Sequence, residues 1–283
     1  MDRKLVALQL YSIRGEMERD FDGTLELVKS MGFDGVEFAG LFGRNPAEVK
    51  ASCKKLDLAP VSAHEVIDRF FEDARQILAD YEAIGCEYIV IPYLPPEYRP
   101  GQGQYDEFVA LAKRVGKEAR EAGMTLLYHN HDFEFEKLDG RYLLDIIYHD
   151  IAPEYLEAQI DTCWVNVGGE DPAVYLHSYT GRVPLVHLKD FVGQKSEKMY
   201  ALIGIDGNKA NTAAGGFEYR PLGQGHQDIP ALLSASSDAG ARWLIIEQDE
   251  PTLGISAMDG VKMSIDYLKG QWSAQASQVP RII

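Results

Sequence analysis

An α/β fold, a (β/α)8 TIM barrel in a single domain spanning 1–283 with a long loop after strand seven, is what this sequence predicts. Eight short runs rich in Val, Ile and Leu recur along the 283 residues. They alternate with longer segments of helical periodicity, and no linker or shift in composition divides the chain. Near-continuous apolar strands belong to a parallel sheet covered on its faces, because an exposed antiparallel strand would alternate with polar residues. Eight βα units of about 35 residues fit a barrel of typically about 250 residues.

The first run, LVALQLY from Leu5, precedes the amphipathic segment FDGTLELVKSMG. DGVEFAG from Asp34 and APVSAHE from Ala59 are the second and third strands, and RFFEDARQILADYEAIG is the helix that follows. CEYIVIPYL from Cys86, the helix Tyr105 to Gly123, and MTLLYHNH from Met124 continue the alternation. LEAQIDTC from Leu156, VPLVHLKD from Val183 and WLIIEQDE from Trp243 complete the eight. Gly32, Gly85, Gly123 and Gly240 stand just ahead of strands, where a left-handed cap closes a helix. The connection from Phe191 to His226 is out of proportion and rich in Gly, Asn and Lys, which suits a lid over the catalytic face. Within it Lys195, Lys198 and the turns at Gly215-Gly216 and Gly223 to Gly225 are candidates for an anion nest.

Composition narrows the function classes. A hydrophobic share of 46% with 25% charged residues is globular, and 28 basic against 44 acidic side chains leave a formal charge of −16, which repels polyanions. Nucleic acid is therefore not an expected partner. No run approaches the roughly 18 to 20 apolar residues of a membrane span, and the start MDRKLVALQLYSIRGEMERD lacks a secretory signal, so a cytoplasmic protein is expected. Cys53, Cys86 and Cys163 form no CxxC and read as reduced core thiols. A homo-oligomer is compatible with all of this.

In a barrel the chemistry sits at the carboxyl ends of the strands. Those positions carry Gln9 and Tyr11, Glu37, His64 and Glu65, His129, Asn130 and His131, Asp161, His187, Lys189 and Asp190, and Glu247, Gln248 and Asp249. Polar groups ending apolar strands are costly to bury without partners, and a divalent metal is the simplest one. Strands five to eight are consecutive, so His129, Asp161, His187 and Glu247 can converge on one ion. Two imidazoles and two carboxylates suit Mn, Zn, Co or Fe better than Ca or Mg. Any one of these residues alone reads as a loop cap; the set on four adjacent strands carries the metal reading. Trp164, Phe38 and Phe133 either stack on a sugar face or belong to the core. Glu37 and His64 either bind substrate hydroxyls or pair with each other.

The series SMGFDGVEF, YHNHDFEF, QIDTCWV, PLVHLKD, LGQGHQDIP and WLIIEQDE resembles the xylose isomerase-like TIM barrel superfamily, in particular its sugar phosphate isomerases or epimerases and inosose dehydratases. The resemblance runs from Leu5 to about Leu268. It implies one divalent ion, manganese first, held by Glu, Asp, His and Glu from strands five to eight. Asp161, His187 and Glu247 match three of these. At strand five His129 replaces the family carboxylate, with His131 the ligand in an alternative register, and the ligand charge changes from −3 to −2. In the epimerases of the superfamily the strand-five and strand-eight carboxylates also move protons, so His131, Glu134 or Glu37 must supply a second base or the chemistry needs only one.

The function so implied is isomerisation or epimerisation of a keto-sugar or keto-polyol through a metal-stabilised enediolate. Glu247 or His131 is the base and Lys189 the electrostatic partner. Glu37, His64, Asn130, Glu134, Trp164 and Gln9 are the candidate substrate-binding residues. The alternatives are a lyase acting on a keto-inositol or 3-keto-glycoside and a non-catalytic sugar-binding barrel. The superfamily's abasic-site endonucleases need a basic groove that the charge argues against.

Overall fold

The computed structural model describes residues 3–195 and 216–278. Eight parallel strands close into one barrel: β1 (Leu5–Gln9), β2 (Gly35–Ala39), β3 (Ala59–His64), β4 (Tyr88–Ile91), β5 (Thr125–His129), β6 (Glu157–Asp161), β7 (Leu185–Leu188) and β8 (Trp243–Ile246). Each of the eight expected runs contributes one strand. Closure comes from β1, which pairs with β2 on one side and with β8 on the other, Leu5 opposite Trp243 and Leu8 opposite Ile246.

Helices wrap the outside: α1 (Arg14–Arg19), α2 (Phe21–Met31), α3 (Pro46–Leu56), α4 (Ile67–Ile84), α5 (Tyr105–Glu121), α6 (Leu143–Asp150), α7 (Thr162–Val167), α8 (Pro172–Ser178), α9 (Ile229–Asp238) and α10 (Ala257–Gln278). Asn45 and Glu48 form a reciprocal capping box at the start of α3, satisfying two otherwise unpaired N–H groups. Gly32 and Gly85, at φ +90° and +105°, close α2 and α4 in the left-handed region that glycine enters without strain. The helical layer after β1 and β6 is split into two short helices each, which the sequence pattern does not announce.

The barrel interior is layered by the two-residue period of the strands. Ala7, Val61, Tyr88, Val90, Leu127, Leu185, Trp243 and Ile245 form a closed apolar plug. Two residues further along, at the carboxyl ends, the same inward face carries Gln9, His129, His187 and Glu247, all buried. A dry floor therefore lies directly beneath a polar layer.

After β7 the chain turns back as a ribbon, Asp190–Val192 pairing antiparallel with Glu218–Arg220. The base of this connection is tied by Asp190, whose carboxylate accepts from the N–H groups of Phe191, Gly223 and Gly225 at 2.9 Å and of Gln227 at 3.1 Å. The turn at Gly223 to Gly225 is thus filled by the chain's own carboxylate rather than left for an outside anion, which corrects that expectation. Lys195 pairs with buried Asp132 at 2.8 Å, and Lys198 and Gly215 lie outside the described residues. Cys53, Cys86 and Cys163 are free and buried. Among the described residues no helix is long and apolar enough to cross a membrane.

Candidate active site

The polar layer is organised around Glu37, a fully buried carboxylate at the end of β2. Its Oε1 accepts from Gln9 Nε2 at 2.8 Å and lies 2.7 Å from His187 Nε2 and 3.1 Å from His64 Nε2. Its Oε2 accepts from Ser62 Oγ at 2.6 Å and from Gln159 Nε2 at 2.5 Å. Burial alone would raise the Glu37 pKa, but the His64 and His187 rings hold it well below the ordinary carboxylate range.

His187 uses its other nitrogen, Nδ1, toward Glu247 Oε2 at 2.9 Å. Burial opposes a charged ring there, yet Glu37 and Glu247 push the imidazole up to about 10. Asp161 ends β6 and divides its carboxylate. Oδ1 caps α7, accepting from Cys163 N at 2.8 Å and Trp164 N at 3.0 Å, whereas buried Oδ2 has no hydrogen-bond donor among the described residues. Facing Oδ2 are His129 Nε2 at 3.8 Å and Lys189 Nζ at 3.3 Å. Burial, reinforced by the charge of His187, drives the His129 pKa far down, so its ring is neutral.

One ligand atom from each of His129, Asp161, His187 and Glu247 lies within 4.8 Å of every other, and all four residues are buried. The four expected ligands are thus brought together by neighbouring strands. Their chemistry fits a divalent cation that accepts nitrogen and oxygen donors: a neutral imidazole, two carboxylates, and a second imidazole, His187, whose Nε2 is backed by Glu37 and whose Nδ1 would give up its proton to the ion. His64, His129 and His187 are also mutually close, but each already turns a ring nitrogen to Gln159 or Glu37.

Lys189, just past β7, is buried and lies 2.8 Å from Glu247 Oε2 and 3.1 Å from Asp249 Oδ2. Burial opposes its charge, but Asp161, Asp249 and Glu247 hold it protonated well above the usual range. Burial would likewise raise Glu247, and Lys189 and His187 keep it ionised. Four carboxylates, Glu37, Asp161, Glu247 and Asp249, thus surround one ammonium and one imidazolium, leaving a negative field.

Above this layer opens a cavity of about 380 Å³ lined by Tyr11, Gly40, His64, Glu65, Val66, Pro92, Tyr93, His129, His131, Lys189, Glu247 and Asp249 among others. His131 comes from the β5 side and Glu247 from the β8 side of the mouth. Burial, with the charge of Lys189, brings the His131 pKa down to about 3, and its Nδ1 has no hydrogen-bond partner among the described residues. It is a neutral imidazole with an uncommitted nitrogen in the wall.

Several expected substrate contacts sit elsewhere. Asn130 is fully buried, accepting from Asp161 N at 2.9 Å and donating to Asp161 O at 3.3 Å; it splices β5 to β6. Glu134 binds the Tyr128 hydroxyl and the His131 N–H behind the wall. Gln9 lies beneath, supporting Glu37, and Trp164 is wholly covered, with its indole nitrogen unbonded and the Lys189 ammonium 5.4 Å above its ring. None of these four lines the cavity, because each lies in the layer behind it. Of that group His64 lines it, and Glu37 lies behind His64 without lining it. Asp249 and Glu65, strand-end groups without an assigned role, line the cavity, as does Tyr93. Gln159 was missed outright, although its place two residues before Asp161 puts it on the same inward face of β6.

The closed barrel and the polar mouth define a TIM-barrel protein of the xylose isomerase-like class. A sequence profile of the xylose isomerase-like TIM barrel family matches residues 25–271, and the chain belongs to that family. It is 24% identical over 278 residues to the inosose dehydratase of Mesomycoplasma hyopneumoniae (strain 7448), covering 88% of each chain. To the inosose dehydratase of Geobacillus kaustophilus (strain HTA426) it is 23% identical over 193 residues, 60% of this chain and 61% of that one. The match to the Lacticaseibacillus casei inosose dehydratase spans only 48% of that protein's length. Among solved structures, a sugar phosphate isomerase/epimerase from Parabacteroides distasonis ATCC 8503 superposes with a TM-score of 0.75 at 19% identity, covering 94% of both chains. An L-ribulose 3-epimerase superposes with a TM-score of 0.69 at 16% identity, over 99% of this chain and 100% of the other.

Proposed function

We propose that the protein is a divalent-metal-dependent isomerase or epimerase of a keto-sugar or keto-polyol, acting by removal of a proton α to the carbonyl. The observation that carries this reading is the meeting of His129, Asp161, His187 and Glu247 within 4.8 Å at the floor of the mouth cavity. These residues would hold the ion, which when bound supplies Lewis acidity toward a carbonyl oxygen. Manganese is the first candidate, and zinc, cobalt or iron suits the same donors.

The chain's own groups supply the proton transfers. Glu247 is kept ionised by Lys189 and accepts the α-proton, which it returns to the adjacent carbon in isomerisation. Epimerisation needs a donor on the other face, for which His131 in the cavity wall would first have to take up a proton from solvent. Lys189 lies 2.8 Å from Glu247, and its positive charge opposes the negative charge that develops on the substrate oxygens. His64, at the cavity wall, is placed to bind a hydroxyl. The dry plug beneath and the buried walls keep water from the reacting carbon.

A second reading is a lyase that eliminates a β-hydroxyl or β-alkoxy group after the same first step. It is favoured by the single carboxylate, Glu247, among the expected proton-transfer pair and by the inosose dehydratases among the sequence relatives. The deciding experiment is incubation of the metal-loaded protein with keto-sugars and keto-inositols in deuterated water. Deuterium at the α-carbon with skeleton intact supports isomerase or epimerase action, an unsaturated product supports the lyase, and no exchange with any of them overturns both.

A further inference from the structure

Gln159, on β6, ties its own strand to three others in the layer below the cavity, and its amide has only one workable orientation. Its Nε2 lies 2.5 Å from Glu37 Oε2, and its Oε1 lies 2.7 Å from His64 Nε2 and 3.0 Å from His129 Nδ1. Turning the amide over would set its oxygen against a carboxylate oxygen with no proton between them. Relieving that clash would need a proton on Glu37, whose oxygens already receive Gln9, Ser62, His64 and His187, a donor set that favours the bare carboxylate. The amide oxygen of Gln159 therefore faces the two rings. An amide oxygen only accepts, so His129 must donate from Nδ1 and His64 from Nε2.

A neutral imidazole has one N–H. With the proton on Nδ1, the lone pair of His129 is on Nε2, the atom 3.8 Å from the donor-free Oδ2 of Asp161. We propose that Gln159 is a positioning residue that, oriented by Glu37, fixes His129 as the Nδ1–H tautomer and so aims its Nε2 lone pair at the centre shared with Asp161. The relay runs from β2 through β6 to β5. Its consequence for metal binding rests on the metal-dependent reading above, whereas the tautomer itself does not.

The test uses the full chain, freed of metal and labelled with nitrogen-15 at histidine. Long-range proton–nitrogen correlation spectra near neutral pH separate protonated from bare ring nitrogens, and a His129→Gln variant assigns the His129 signals. The wild type is expected to show Nδ1 protonated and Nε2 bare at His129, and Nε2 protonated at His64. Gln159→Met keeps the side-chain length without the amide. It is expected to bring up the Nε2–H form of His129 and to weaken Zn²⁺ binding about ten- to hundredfold, as loss of an outer-shell partner does. Glu37→Gln, which leaves His129 and Gln159 in place but frees the amide to turn, is expected to disturb the same tautomer.

A wild-type His129 protonated on Nε2, or on both nitrogens, overturns the proposal, as does a Gln159→Met protein with both tautomer and Zn²⁺ affinity unchanged. Should the variants fail to fold, the wild-type spectrum still decides. A wild type with the expected tautomer that takes up no Zn²⁺ supports the relay and sinks the metal reading.

Discussion

His187 Nε2 lies 2.7 Å from Glu37 Oε1, and both side chains are fully buried. Breaking a buried charged pair from one side strands the other partner, which typically costs about 3 to 5 kcal/mol. Glu37 also receives Gln9, Ser62, His64 and Gln159, so its loss leaves several donors unpaired. Glu37→Ala is expected to lower unfolding stability in urea by about that amount. A loss below about 1 kcal/mol, the size of a single ordinary hydrogen bond, would show that the layer does not depend on this carboxylate.

Asp161 separates a structural role from a ligand role within one side chain. Its Oδ1 caps α7 through Cys163 N and Trp164 N, and its Oδ2 faces His129 and Lys189. Asparagine keeps an accepting oxygen for the cap but places an amide nitrogen at the other position. Asp161→Asn is expected to fold with near wild-type circular dichroism while its metal content, measured by plasma mass spectrometry, falls from near one ion per chain to a small fraction. Equal metal content in both proteins would remove Asp161 from the ligand set.

The barrel was legible because its evidence is local: each apolar run is a strand and each glycine at a strand entry takes the left-handed cap. The candidate ligands were legible for a related reason, since strand ends on consecutive strands must meet. Asn130 and Glu134 misled because their partners are the Asp161 backbone and the Tyr128 hydroxyl, groups that no strand-end pattern reveals. Gln159 escaped because strand-end residues alone do not reveal it, whereas the two-residue period places the residue two before the end on the same face. Gly225 shows a third limit. Its turn reads as a nest, but only the fold brings the Asp190 carboxylate to it, 2.9 Å from its N–H.

Gly116 gives a test of packing against propensity. It lies buried in the middle of α5, where alanine would ordinarily gain about 1 kcal/mol. A Cβ at this position would overlap the carbonyl of Tyr155, a backbone group that cannot swing away as a side-chain end can. Overpacking of this kind costs about 1 to 3 kcal/mol. Gly116→Ala is therefore expected to lower the melting temperature by calorimetry, and a rise would mean that α5 and the segment at Tyr155 separate freely.

Glu134 links stability to pH through a group away from the expected ligands. Buried behind His131, it binds the Tyr128 hydroxyl and accepts from His131 N at 2.8 Å. Burial pushes its carboxyl up to about 8, against about 4.3 in an unfolded chain. Between those values the folded protein holds a proton that the unfolded chain releases, so this group's contribution to stability falls as pH rises through the window. Glutamine has no such proton, yet its oxygen still accepts from His131 N and its nitrogen donates to the Tyr128 oxygen. The stability of Glu134→Gln minus that of the wild type, from urea unfolding, is expected to increase between about pH 5 and pH 8, by up to about 1.4 kcal/mol per pH unit. A difference that stays flat across that range would mean that Glu134 is ionised in the fold, with its charge satisfied by the two donors it already has.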